Sequence, residues 1–267
     1  MIEQVSALIR EAATEVVLPM FRRLSATDVT EKAPGEVVTV ADQRTEEVLS
    51  AGLTALLPGS VVVGEEGVAA DPALLARLRG SDPVWVVDPI DGTANYAAGR
   101  TPFAIMVALV RDGTTVAGWI HDPVGDSLTV AEAGSGAYVD GVRMRISADP
   151  PPPGGLRGPI MTRFFPPGVR EAFRERASVL GEVLPGVHCA GREYADLVAG
   201  VQHFAVFWRT LPWDHVAGSF LVREAGGVAC RLDGSPYEAS GEGSGLVAAA
   251  SEQIWHEVRE VLRTAGV

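Results

Sequence analysis

Cysteine occurs only at positions 189 and 230 of this 267-residue chain, without a CxxC pair, so neither a disulfide framework nor a structural zinc site can be built from it. That usage fits a reducing compartment, and a cytoplasmic location is expected. Positive charge is also scarce: 22 Lys and Arg stand against 34 Asp and Glu, a formal net charge of −12. This argues against nucleic acid or an anionic membrane as partners and favours cations, or anions bridged by cations. The longest clean apolar run, Phe103 to Val110, is far below the roughly 20 residues that span a bilayer. Met1 opens onto a mixed helical pattern rather than a basic and then apolar leader, so no export is expected. GxSxG, Walker, GxGxxG, HExxH and EF-hand patterns are all missing. The histidines at 121, 188, 203, 215 and 256 lack ligand spacing and read as surface or satisfied core groups, with His215 of interest because it adjoins Asp214.

With 47% hydrophobic residues the chain is too apolar for disorder and long enough for one large domain or two lobes sharing a core. Val5, Leu8, Ile9, Ala12, Val16 and Val17 recur at helical spacing within Ile2 to Leu24. Val37 to Val40 is a short β-branched run, and Ala41 to Leu57 reads as a second helix with Asp42 at its start. Val61 to Val63 and Val84 to Val87 read as buried strands, each running straight into carboxylates. From Phe103 to Ile146, turn signals separate apolar runs in the manner of an antiparallel meander. The proline run at 150 to 153 divides an N-terminal lobe, 1–148, from a C-terminal lobe, 155–267. In the second lobe strand-like Pro159 to Thr162, helical Val169 to Leu180, strand-like Phe204 to Trp208, and helices Asp214 to Ala225 and Glu252 to Leu262 alternate, which predicts layered α/β.

The chemistry-bearing residues are acids. Glu65 and Glu66 end one predicted strand, Asp88 and Asp91 another, and Asp214 opens a helix after Pro212-Trp213. If the two strands are neighbours, these carboxylates meet at one sheet edge and repel unless a cation neutralises them. Oxygen donors without thiolate or imidazole select Mg²⁺, or Mn²⁺ as a substitute. Asp91-Gly92-Thr93 adds a tight turn whose N–H groups can approach an anion, and metal beside anion points to a phosphomonoester. Taken singly, each acid has an ordinary reading as a solvated turn, and Asp214 as a helix N-cap; the joint occurrence is what carries weight.

These segments, GEE at 64 to 66, WVVDPIDGTANY at 85 to 96, PWDHVAG at 212 to 218 and EAGG at 224 to 227, resemble the inositol monophosphatase family. GEVVTVADQ at 35 to 43 and HDPVGDSLTVAEAGSGAYVDG at 121 to 141 extend the resemblance over most of the chain. It implies a layered α-β-α-β-α sandwich of the inositol monophosphatase and fructose-1,6-bisphosphatase type, usually a homodimer. It implies Glu65, Asp88, the Ile90 carbonyl, Asp91 and Asp214 as Mg²⁺ ligands, and Thr93 with Glu65 as the groups that position the attacking water. Asp42 corresponds to an acid supporting that threonine, and Gly92 and Thr93 to the phosphate-binding N–H groups.

The sequence departs from the family on the substrate side. Glu36 stands where an Asp is frequent, and Phe207, Trp208, Arg209 and Thr210 fill the stretch that holds the family's inositol-contacting glutamate. Ala190-Gly191-Arg192-Glu193-Tyr194 replaces its short Gly-(Ser/Thr)-Ala-Ala segment. Arg192, Glu193, Trp208 and Arg209 are therefore the expected substrate contacts: an arginine for a second anionic group, or Glu193 for an amine. The expected activity is hydrolysis of a small polyol or sugar phosphate. Histidinol phosphate, fructose 1,6-bisphosphate and 3′-phosphoadenosine 5′-phosphate remain open, and a catalytically silent metal- and phosphate-binding regulator is the alternative from another class.

Overall fold

The computed structural model describes residues 1–266 apart from 34, 148, 150, 153 and 242. The N-terminal apolar stripe forms α1 (Ile2–Ala12), a stretch of π-helix (Ala13–Val17) and α2 (Leu18–Met20). A hairpin of β1 (Val29–Ala33) and β2 (Glu36–Thr39) leads into α3 (Val40–Leu56). There Thr39 and Asp42 form a reciprocal cap: the Thr39 side chain accepts from the Asp42 N–H, and the Asp42 carboxylate accepts from the Thr39 N–H. Next come β3 (Val61–Gly64), α4 (Glu65–Ala70), β4 (Val84–Asp91) and α5 (Thr93–Ala97). The meander follows as β5 (Ala104–Arg111), β6 (Thr114–Asp122), β7 (Ser127–Glu132), β8 (Gly136–Val139) and β9 (Val142–Met144).

β3 to β9 form one seven-stranded sheet in sequence order, parallel between β3 and β4 and antiparallel from β4 onward. Both faces of its centre are covered, so β4 is buried along its whole length. The two-residue period sends Trp85, Val87, Ile105 and Val107 towards α1 and α3, and Val84, Val86, Met106 and Ala108 to the opposite core.

The second half contributes β10 (Leu156–Pro159), α6 (Pro167–Arg176), β11 (Gly181–Leu184), α7 (Ala190–Val198) and β12 (Phe204–Phe207). It ends with α8 (Pro212–Glu224), β13 (Val228–Arg231), β14 (Leu246–Ala249) and α9 (Glu252–Thr264). β12, β14 and β13 make a three-stranded antiparallel sheet, and β10 pairs in parallel with β11. The layers run α1 and α3, large sheet, α7 and α8, small sheet, then α6 and α9. Residues of both halves share the core around α8. No helix among the described residues is long and apolar enough to cross a membrane.

The predicted strand at Pro159 to Thr162 lies earlier, at Leu156–Pro159, because its partner is β11, whose ladder stops before Pro185; Thr162–Phe164 is a 3₁₀ turn. The predicted helix at Val169 to Leu180 begins instead at Pro167, with proline in its first turn, and passes into a 3₁₀ turn at Ala177–Val179. Of the stretch expected to divide two lobes, Ala148, Pro150 and Pro153 lie outside the described residues.

Candidate active site

The parallel pairing of Gly64 with Val87 aligns the ends of β3 and β4, and this register brings the two acidic segments together. Glu65 opens α4 directly after β3. β4 continues through a register irregularity between Asp88 and Asp91, where Asp88 Oδ1 accepts from the Ile90 N–H at 3.0 Å. Asp214 arrives from the first turn of α8. Leu211 occupies the N-cap position, and the N-cap reading of Asp214 gives way to this geometry: its carboxylate points to the other acids. One oxygen each of Asp88, Asp91 and Asp214 lie within 4.8 Å of one another.

Carboxylates this close, Asp88 and Asp91 buried and Asp214 half-buried, favour the protonated form. Burial, then Asp91, pushes Asp214 up to about 7. Burial and the Asp214 charge push Glu65 up to about 8, opposed by Lys32, whose Nζ is 3.4 Å from Glu65 Oε1 and 2.5 Å from Glu66 Oε1. Asp88 is raised by burial and by Glu65, Asp91 and Asp214. Asp91 is raised by burial but restrained by donors, among them the Gly191 N–H at 2.6 Å and the Cys189 thiol. The donor set fits a hard divalent cation, since charge is in excess and every ligand atom is oxygen. The softer groups beside the cluster are already engaged within the protein. Burial and Asp91 keep Cys189 a thiol, and the Arg209 carbonyl fixes the His215 tautomer by accepting from Nε2–H at 2.9 Å. Tyr194 O–H then donates to His215 Nδ1 at 2.9 Å, and burial holds this imidazole neutral, its pKa down at about 3.

Gly92 turns the chain with φ +87°; a Cβ there would lie 3.1 Å from the Pro102 carbonyl and 3.2 Å from Cys189 Cβ and the His188 carbonyl. Thr93 follows, its Oγ1 3.1 Å from Asp42 Oδ1 and 3.0 Å from the Ile90 carbonyl. Burial raises Asp42 to about 6 against the bonds from Thr39. A cleft of about 650 Å³ joins Glu65, Asp88, Ile90, Asp91, Gly92, Thr93 and Asp214 to a far wall containing Trp208 and Arg209.

A sequence profile of the inositol monophosphatase family matches residues 1–263. The chain belongs to that family. It is 31% identical over 250 residues to a protein from Rhizobium meliloti named inositol-1-monophosphatase, covering 91% of this chain and 89% of the relative. It is also 30% identical over 239 residues to a Pseudomonas aeruginosa protein named Nus factor SuhB, covering 84% of this chain and 83% of that protein. A solved Thermotoga maritima IMPase superposes with a TM-score of 0.84 at 26% identity, covering 99% of this chain and 97% of that one. The family fold is thus present over the whole chain, and its metal dependence matches the acidic cluster.

Two of the expected substrate contacts lie outside the cleft. Arg192 is directed to Asp196, Nε to Oδ1 at 2.9 Å, and lines a smaller depression. Glu193 is buried, accepting from the Val187 N–H at 2.9 Å and lying 3.3 Å from Gln202 Nε2. Several groups at the site escaped the sequence reading. Glu46 is one: its carboxylate accepts from the Glu66 and Gly67 N–H groups at 2.8 and 2.7 Å, holding the start of α4. Its signal was available, since Asp42 and Glu46 are four apart on one helix. Lys32, Arg163 and Arg170 carried no comparable signal; they come from the β1–β2 hairpin, the turn at Thr162–Phe164 and α6, which are distant from the acids in sequence.

Proposed function

We propose that this protein is a Mg²⁺-dependent phosphomonoesterase, with Mn²⁺ as a substitute, acting on a small polyol or sugar phosphate with water as nucleophile. The convergence of Asp88, Asp91 and Asp214 beside Thr93 and its Asp42 anchor carries this reading. Asp88, Asp91, Asp214, Glu65 and the Ile90 carbonyl would hold the cation, which when bound supplies Lewis acidity to the phosphate and the leaving oxygen. Thr93 Oγ1 has two acceptors for one proton, so its hydroxyl hydrogen is directed into the protein and its remaining lone pair accepts from the attacking water. Glu65 is the second acceptor for that water. Gly92 and Thr93 present the turn against which the phosphate rests, with no side chain on Gly92 to obstruct it.

The silent-regulator alternative, brought forward by relatives named Nus factor, requires a lost ligand or a lost threonine, and this chain retains all of them. Histidinol phosphate is disfavoured by the burial of Glu193 outside the cleft. Phosphate release from inositol 1-phosphate and the other named candidates, with and without Mg²⁺, tests the proposal. Mg²⁺-dependent release is expected, and Asp88→Asn should abolish it with the circular dichroism spectrum unchanged. Undiminished hydrolysis by Asp88→Asn would overturn the assignment.

A further inference from the structure

The floor of the cleft is acidic, but its outer wall is basic. Arg163, Arg170 and Arg209 all line the cavity that contains Asp88, Asp91 and Asp214. Arg163 Nη2 donates to the Gly35 carbonyl at 2.9 Å, and Arg170 donates from Nε to Thr162 O at 3.1 Å and from Nη2 to Arg163 O at 2.7 Å. Among the described residues the one ion pair on this wall joins Arg209 to Glu36, and Arg209 Nε is buried without a partner. On the wall itself three guanidinium groups thus stand with one carboxylate, Glu36, while the acids of the floor, of which Asp214 feels the Arg209 charge, are those that would hold the cation. Each guanidinium has five N–H donors, and backbone carbonyls use only one or two of them on Arg163 and Arg170.

Phe164 decides what this wall can read. The Arg209 and Arg163 guanidinium carbons lie 4.3 and 5.0 Å from its ring centre. The ring is thus engaged in ordering two cations and is not a free platform for a planar base. A neutral hydroxyl can accept from these N–H groups but gains no charge assistance from them, and the wall's one carboxylate, paired with Arg209, is not free to accept from it. Fork-shaped donors with unspent N–H groups suit a carboxylate or a phosphate.

We infer that the cleft takes a phosphomonoester carrying a second, non-scissile anionic group, held by Arg163, Arg170 and Arg209. This rests on the phosphatase reading and narrows its substrate class. Binding of the second anion draws on Arg209, whose pairing with Glu36 is the contact it must share or displace.

The test compares three matched pairs in Mg²⁺, each differing by one anion: fructose 1-phosphate with fructose 1,6-bisphosphate, adenosine 3′-phosphate with 3′-phosphoadenosine 5′-phosphate, and glycerol 2-phosphate with 2-phosphoglycerate. The first two add a phosphate and the third a carboxylate, so the favoured pair identifies the source of the second anion. At least one pair should show kcat/KM tenfold or more higher for the doubly anionic member. Arg163→Gln with Arg170→Gln should cut that ratio at least fivefold, while the corresponding Lys pair retains most of it. If the double variant fails to fold, Arg163→Gln alone, at an exposed position, should lower the ratio in the same direction. Ratios of threefold or less in all pairs, or a ratio that survives the Gln substitutions, would overturn the inference. If no compound releases phosphate, the phosphatase reading has failed by itself. Calorimetric binding of fructose 1,6-bisphosphate against fructose 1-phosphate then decides the arginine wall by the same tenfold criterion.

Discussion

Thr93 joins two parts of the chain through one hydroxyl, with Asp42 Oδ1 and the Ile90 carbonyl both within reach. Thr93→Val keeps the β-branched shape and removes the hydroxyl. Turnover should fall by about 10²-fold or more, the scale of a positioned proton-handling group. The loss should sit in kcat and not in KM, because the cation ligands are untouched. Stability should fall by about 1–3 kcal/mol, read from the urea midpoint, because the buried Asp42 carboxylate loses a donor. Residues of this kind were legible because the sequence marks them: acids at the ends of apolar runs, followed by a glycine that only a tight turn requires. Arg192 and Glu193 were misplaced for a physical reason. Gly191 donates its N–H to Asp91, and each further helical residue rotates by about 100°, which turns Arg192 to solvent and Glu193 into the protein.

Two elements hold the acids in register, α3 and α8. Along α3, Asp42 reaches Thr93 and Glu46 reaches the start of α4, so one helix sets the position of Thr93 and of the backbone that carries Glu65. Glu46→Ala should leave the Glu66 and Gly67 N–H groups without their acceptor, raise the Mg²⁺ concentration for half-maximal activity and lower the urea midpoint. An unchanged Mg²⁺ requirement with a lowered midpoint would reduce Glu46 to a purely structural role. On α8, Gly218 packs on Tyr194 of α7, and an added Cβ would fall 2.0 Å from Cδ2 of that buried ring. Gly218→Ala should therefore cost about 1–3 kcal/mol, detectable as a lower thermal midpoint, because the ring has no room to move. The longer helices and the meander were visible as periodicity, whereas the short α4 and α5, α7, β11 and the arginine-bearing 162–164 segment were not. Their positions depend on partners far away in sequence, such as the Gly35 carbonyl that accepts from Arg163.

At the scale of the whole molecule, the acidic cluster sets how stability responds to pH. Glu65 is raised to about 8 and Asp214 to about 7, and Asp88 and Asp91 are also raised, burial being the first cause in each case. Between the unfolded carboxylate range near pH 4 and these folded values, the native protein binds more protons than the unfolded chain. The unfolded state therefore binds fewer protons over this window, and stability falls as pH rises through it. In the presence of EDTA the thermal midpoint should decline from about pH 5 to pH 8. A divalent cation replaces those protons as the neutralising charge, so Mg²⁺ should raise the midpoint more at pH 8 than at pH 5. The exposed acids with lowered pKa, Asp28, Asp233 and Glu260, act in the opposite sense, but solvent screens them and their effect does not depend on Mg²⁺. A pH-independent midpoint in EDTA, or a Mg²⁺ effect equal at both pH values, would mean that these four carboxylates are not the coupled cation-binding unit that their geometry describes.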